Sequence, residues 1–233
     1  MIERYKKNIG FITEEEQNIL LSKTICLLGL GGNGGYIAEF LVRLGIKKLI
    51  LFEFDSFEES NLNRQTFCHE NNLTKSKVEE TIKALKTINS KIEYEYYNTP
   101  FQEESIPLIQ KADLIINAMD SSNNYYQNSR NALRQCLVDY KIPVLEQAIS
   151  NYGGRYTILN EKGSKIFDSM SKEWKNSQSI PEGVLSQPAF LCSLIASLSI
   201  LEIYRYFCEK QYNSINKIFV YSLFENKIFK ANF

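Results

Sequence analysis

The chain has 233 residues, long enough for one large α/β domain with a full core, and no composition shift divides it, so a single domain over residues 1–233 is expected. Lys plus Arg number 27 and Asp plus Glu number 27, giving a formal net charge of zero with no run of like charges. That balance offers no electrostatic footprint for nucleic acid or a charged membrane surface, and neither partner is expected.

The amino-terminal stretch Met1-Ile2-Glu3-Arg4-Tyr5-Lys6-Lys7 lacks the apolar run of a signal peptide, and the apolar segment from Ala189 to Leu201 is broken by serines, so a cytoplasmic location is expected. Thr24-Ile25-Cys26-Leu27-Leu28 is a continuous apolar run leading into Gly29, the pattern of a strand buried on both faces of a parallel sheet. Ile37, Leu41 and Leu44 then fall at helical spacing ahead of Gly45, which predicts a helix from about Asn33 to Leu44. A second strand follows over Lys48 to Glu53, completing a strand–glycine turn–helix–strand unit within about thirty residues.

Further along, Val78, Ile82 and Leu85 mark an amphipathic helix, Ile92 to Tyr97 alternates as a strand, and Asp113 to Asn117 is another buried strand. A helix over about Tyr125 to Asp139 precedes a short strand, Pro143 to Glu146, and Arg155 to Leu159 alternates as a strand expected to run antiparallel. Glu161 to Gly183 has little periodicity and reads as a long loop; Gln187 to Phe207 is an apolar helix, and Lys217 to Phe229 a terminal hairpin. The fold class is therefore α/β, Rossmann-like, a mostly parallel sheet flanked by helices with antiparallel C-terminal strands.

Gly29-Leu30-Gly31-Gly32-Asn33-Gly34 fits G-x-G-x-x-G between a strand and a helix, where small residues let a nucleotide approach the backbone and the helix N-terminus faces phosphate. A tight structural turn would use the same glycines. Glu53 ends the second strand, placed to accept from ribose hydroxyls. The stretch Asp55-Ser56-Phe57-Glu58-Glu59-Ser60-Asn61-Leu62-Asn63-Arg64-Gln65, followed by Lys77, has no use in a plain dehydrogenase. Arg64 supplies a planar fork of donors and Lys77 a compact charge, a combination suited to a triphosphate, with Asn61 and Gln65 as neutral donors. Asp120 lies just past a strand's carboxyl end, where sheet ligands sit and where Mg²⁺ takes one or two carboxylates beside phosphates; a helix N-cap is the other use of such a residue.

Taken in order, Gly-Leu-Gly-Gly-x-Gly, Asp-x-x-x-x-Ser-Asn-Leu-x-Arg-Gln with Lys77, Asn117-Ala118-Met119-Asp120 and Gly183-Val184-Leu185 resemble the signature of the ThiF/MoeB/HesA family, relatives of the ubiquitin-activating enzymes, over about Arg4 to Tyr206. The resemblance implies ATP bound by Gly29, Gly31, Gly32, Glu53, Asp55, Asn61, Arg64, Gln65 and Lys77. It also implies Mg²⁺ held by Asp120, and attack of a substrate carboxylate on the α-phosphorus to give an acyl adenylate and pyrophosphate. The acceptors it implies are the C-terminus of a small ubiquitin-like sulfur carrier, a peptide, a tRNA-linked carboxylate or a small acid. Family members are typically symmetric dimers with a basic residue contributed in trans, a role to which Arg4 and Lys7 correspond.

The departures from the family pattern are specific. Five cysteines, Cys26, Cys68, Cys136, Cys192 and Cys208, include no C-x-x-C pair and none falls between Cys136 and Cys192, so neither the structural zinc nor the loop nucleophile of many relatives is expected. Reduced, mostly buried thiols are expected instead, with Cys68 an incidental thiol and His69 on the surface. Glu53 replaces a common aspartate, and Lys7 stands where relatives carry an arginine, which lysine does not match for bidentate phosphate contact. The rival readings are a nicotinamide-dependent oxidoreductase, which leaves Asn61, Arg64, Gln65 and Lys77 without a role, and a non-catalytic binding subunit.

Overall fold

The computed structural model describes residues 3–120, 124–150, 153–176, 187–210 and 215–231. Its strands are β1 (Thr24–Leu28), β2 (Lys48–Phe52), β3 (Glu93–Tyr97), β4 (Leu114–Asn117), β5 (Val144–Ser150), β6 (Gly153–Leu159), β7 (Ile218–Ser222) and β8 (Lys227–Ala231). They form one sheet in the order β3-β2-β1-β4-β5-β6-β7-β8. The strands from β3 to β5 pair in parallel, and those from β5 to β8 pair antiparallel.

The helices are α1 (Glu14–Leu20), α2 (Gly32–Leu44), α3 (Lys77–Ile88), α4 (Ile106–Ile109), α5 (Tyr126–Val138), α6 (Ser164–Asn176) and α7 (Ala189–Phe207). Alternate residues of the strands serve two cores. Ile25, Leu27, Leu49, Leu51, Ile116 and Ile158 pack with α2, α3 and α7, whereas Cys26, Leu28, Ile50, Ile115, Val144 and Leu159 pack with α4, α5 and α6. Burial on both faces is why β1 and β4 read as unbroken apolar runs rather than alternating ones.

The expected long loop from Glu161 to Gly183 is corrected by α6 (Ser164–Asn176). Ile166, Phe167 and Met170 fall at helical spacing, a period that the loop expectation missed; Phe167 and Met170 are buried, and Asp168 forms a two-point ion pair with Arg134 at 2.7 and 3.0 Å. β5 also continues beyond the expected Glu146, because Gln147 to Ser150 find backbone partners on β6 from Tyr156 back to Gly153. The Gly183-Val184-Leu185 motif lies outside the described residues. Helix α7 is long and apolar enough to cross a membrane by length and composition. Its Leu191, Cys192, Ile195, Ala196 and Ile203 are nonetheless buried in the protein core.

Candidate active site

Strand order reverses between β1 and β4, and a cavity of about 470 Å³ opens there at the carboxyl ends of the parallel strands. This is the position where open α/β sheets take their ligands. The glycine turn forms one wall. Gly29 has φ +88, and a Cβ there would lie 2.5 Å from the Ala118 carbonyl oxygen, so only glycine lets the turn cross the end of β4. Gly34, in the first turn of α2, is equally constrained, since a Cβ would stand 2.0 Å from the Gly29 oxygen. At Gly31 the space is open as far as Gln65 Nε2, 4.0 Å from a Cβ, and that opening faces the cavity.

Glu53 is buried and ties this turn to β2. One carboxylate oxygen accepts from the Leu30 amide at 2.8 Å, and the other from the Phe54 and Asp55 amides at 2.8 and 3.0 Å. The first oxygen keeps a lone pair for a ligand hydroxyl. Beyond Glu53, the Phe54 and Tyr125 rings meet edge to face at 5.5 Å beside the cavity.

The polar loop after β2 supplies the opposite wall. Asn61 closes it on itself by accepting from the Glu58 amide at 3.1 Å, and its own carbonyl receives the Arg64 and Gln65 amides. Arg64 Nη1 donates to the Ser60 carbonyl at 2.7 Å and to Asn63 at 3.0 Å, while Arg64 Nε and Gln65 Oε1 are buried without a partner. Lys77, at the start of α3, is 8% exposed and pairs with the 46% exposed Asp55 at 3.2 Å. All of the nucleotide residues expected from sequence line this cavity, and so does Asp120, which is exposed at its rim.

Lys7 is the exception. Its neighbours are pinned elsewhere: Arg4 donates to the Ile88 carbonyl at 2.6 Å, Tyr5 Oη accepts from Asn89 at 3.0 Å, and Asn8 donates to Leu44 at 3.4 Å. These partners sit at the carboxyl ends of α2 and α3. Lys77 sits at the other end of α3, about 16 Å away along a twelve-residue helix.

Sequence reasoning missed a second polar layer, built from the end of β4, the middle of β5 and α5. Gln147 donates to the Asn117 carbonyl at 3.2 Å and receives Asn33 from the glycine turn. On the other face of the sheet, Glu146 accepts from Asn117 Nδ2 and from Arg130, both residues of the ion pair being buried, and Tyr126 bonds to Arg130 and Asn117. Burial, and then the Glu146 charge, push the Tyr126 phenol up. The available signal was Arg130 on the apolar face of α5 with Leu133 and Leu137, together with Glu146-Gln147 continuing an apolar strand.

Cysteines take no part in this polar layer. Cys68 is buried, its Sγ 3.7 Å from the Glu58 carbonyl, and burial pushes its thiol up; Cys192 sits behind the glycine turn with its thiol pushed up to about 11 by burial. His69 is exposed, as expected.

A model of the ThiF family matches residues 5–233. The chain is 32% identical to the vegetative HesA protein of Trichormus variabilis over 164 residues, 68% of this chain and 59% of that protein. It is 27% identical to the molybdopterin-synthase adenylyltransferase of Haemophilus influenzae over 202 residues, 84% of this chain and 79% of that one. Against ubiquitin-like modifier-activating enzyme 5 of Caenorhabditis elegans it is 30% identical over 152 residues, 65% of this chain but 31% of that protein. The chain thus spans from about a third to about three fifths of the length of several curated relatives it matches. Among solved structures, E. coli MccB with AMPCPP and MccA superposes with a TM-score of 0.81 at 20% identity, over 99% of this chain and 71% of that one. PaaA does so with a TM-score of 0.77 at 21% identity, over 99% and 82%. Identities this low carry the fold alone, but the family model reaches from ahead of the first strand to the terminal hairpin, and the chain belongs to the ThiF family.

Proposed function

We propose that the chain is an ATP- and Mg²⁺-dependent adenylyltransferase, acting as one unit over residues 1–233, that activates a substrate carboxylate as an acyl adenylate with release of pyrophosphate. The observation that carries this reading is the placement of Arg64 and Lys77 on the same cavity as the glycine turn. A nicotinamide site needs no such pair, whereas a triphosphate does. The residues fit the nucleotide: Arg64 Nε and Gln65 Oε1 are buried without partners, and the Gly31 side of the turn is open.

In the reaction, a carboxylate oxygen bonds to the α-phosphorus and the bond from that phosphorus to the pyrophosphate oxygen breaks. The work left to the protein is alignment and charge neutralisation, with no protein nucleophile. Lys77 and Arg64 hold the departing phosphates, Glu53 fixes the ribose, and the α2 N-terminus faces the reacting centre. Mg²⁺, when bound, spreads the phosphate charge. Asp120 would hold it with substrate oxygens and water, and one carboxylate is enough in a site of that kind. The buried thiols support transfer without a covalent enzyme intermediate.

The names of the relatives support the C-terminus of a small ubiquitin-like sulfur carrier or a peptide as the acceptor, with a small acid as a further class. Arg4 and Asn8 are bonded at the carboxyl ends of α3 and α2, away from the cavity of their own chain, so a role for Lys7 at the phosphates needs a second copy; a homodimer, and a cytoplasmic location, are parts of this proposal. Exchange of labelled pyrophosphate into ATP, run across ubiquitin-like proteins, short peptides and small acids, tests the activity. One acceptor class is expected to support exchange. ATP binding without exchange for any of them would make the chain a non-catalytic partner instead.

A further inference from the structure

Arg130 and Glu146 have side chains that are each 5% exposed, and they meet at 3.2 Å in the wall of the cavity. Arg130 is no phosphate ligand, because its terminal nitrogens are engaged. Nη1 donates to both Glu146 oxygens, Nη2 donates to the Phe167 carbonyl at 2.9 Å, and the guanidinium lies 3.9 Å from the Phe167 ring centre. Glu146 in turn accepts from Asn117 Nδ2 at 3.1 and 3.2 Å.

A carboxylate only accepts, so it dictates which end of the Asn117 amide faces it. With Nδ2 turned to Glu146, Oδ1 turns the other way and accepts from the Met119 amide at 3.2 Å. That bond shapes the turn that leaves β4 and carries Asp120 to the cavity rim. A pair of buried charges is a poor way to gain stability alone, since apolar residues of similar volume often do as well. Placing this pair at a strand end, bonded to the residue that sets the next turn, gives it a different use.

We infer that Glu146, clamped by Arg130, is a positioning residue that sets the Asn117 amide and, through it, the turn presenting Asp120 to the metal–triphosphate. The inference rests on Asp120 as the magnesium ligand, and the test separates the two. Glu146→Gln keeps one acceptor oxygen, which the Arg130 cation draws, and sets its amide nitrogen against Asn117 Nδ2; a donor then faces a donor, which favours rotation of Asn117 and loss of the Met119 bond. The swap Asn117→Asp/Glu146→Gln restores the pattern with the same net charge. The new amide at 146 accepts from Arg130 and donates to the new carboxylate at 117, which also accepts from Met119.

The experiment titrates Mn²⁺ by electron paramagnetic resonance in the presence of α,β-methylene-ATP. Amide hydrogen exchange at Met119 and metal-free analogue binding by calorimetry accompany it. Glu146→Gln is expected to weaken Mn²⁺ binding roughly 10–100-fold, the range for partners that orient metal ligands, and to speed exchange at Met119 while leaving metal-free binding unchanged. The swap is expected to recover both. Should Glu146→Gln not fold, Glu146→Asp withdraws the acceptor from Asn117 without adding a donor; weaker Mn²⁺ binding with faster Met119 exchange is expected, and wild-type values for both would overturn the positioning role. If Asp120→Ala leaves Mn²⁺ binding unchanged, the magnesium reading falls. If Asp120→Ala weakens it and Glu146→Gln does not, or the swap recovers nothing, the positioning role falls alone.

Discussion

Arg130→Leu removes the cation from a buried pair and leaves three consequences in place. Glu146 keeps its charge in a site where it is 5% exposed, the Phe167 carbonyl loses its 2.9 Å donor, and the Phe167 ring loses the guanidinium stacked at 3.9 Å. Breaking a buried pair from one side costs about 3–5 kcal/mol, a figure that already contains the stranded charge. The chain's own control is one helical turn away. Arg134 and Asp168 have the better geometry, at 2.7 and 3.0 Å, but are 48% and 40% exposed. Solvent screening limits such a pair to about 0–1 kcal/mol, so Arg134→Leu is expected to fall in that range. Urea denaturation near neutral pH with matched m-values measures both. The double variant Arg130→Leu/Glu146→Leu should lose less than Arg130→Leu alone, because no charge is stranded. A loss below about 1 kcal/mol for Arg130→Leu, or equal losses for the two arginines, would refute the reasoning.

At the glycine turn, a Cβ on Gly32 would stand 2.9 Å from Cys192 Sγ and 3.4 Å from Arg64 Cδ, so Gly32→Ala should weaken ATP binding by displacing Arg64. Adding Cys192→Ala should restore part of it, read by calorimetry. Glu16 is held at about 2, below its usual 4.5, first by the hydrogen bond from Lys210 and then by the Thr13 amide. A lowered native pKa contributes stability above the unfolded value, so the deficit of Glu16→Gln seen near neutral pH should vanish as pH falls from 4.5 toward 2. Burial raises all five thiols, but Cys26, Cys68, Cys136 and Cys192 are also closed to reagent, so brief alkylation of the native chain at neutral pH should reach only the half-buried Cys208, and Cys68→Ala should keep full activity.

The parallel strands and α2 were legible because two-sided burial and helical spacing leave local marks: the turn after Leu28 and the helix to Leu44 fall where the apolar pattern puts them. α1 had a local mark too, the capping box of Thr13 and Glu16, but no long apolar period beside it, and it is absent from the expected elements. α6 also left a local mark, Ile166, Phe167 and Met170 at helical spacing, which the loop expectation overlooked; only its anchors, Arg130 and Arg134, lie far up the chain. The residues proposed to hold the nucleotide, all of which line one cavity, were readable as spaced motifs. Glu146 and Arg130 were not, because only the packing of α5 on the sheet brings them together with Asn117.

On the proposed reading, Arg64, Lys77 and Asp120 make this cavity a triphosphate site. Calorimetric titration of the same preparation with ATP plus Mg²⁺ and with NAD⁺ tests it most directly. Saturable binding of ATP, weakened in Lys77→Met and lacking for NAD⁺, is the predicted result; tight NAD⁺ binding with none for ATP would contradict it.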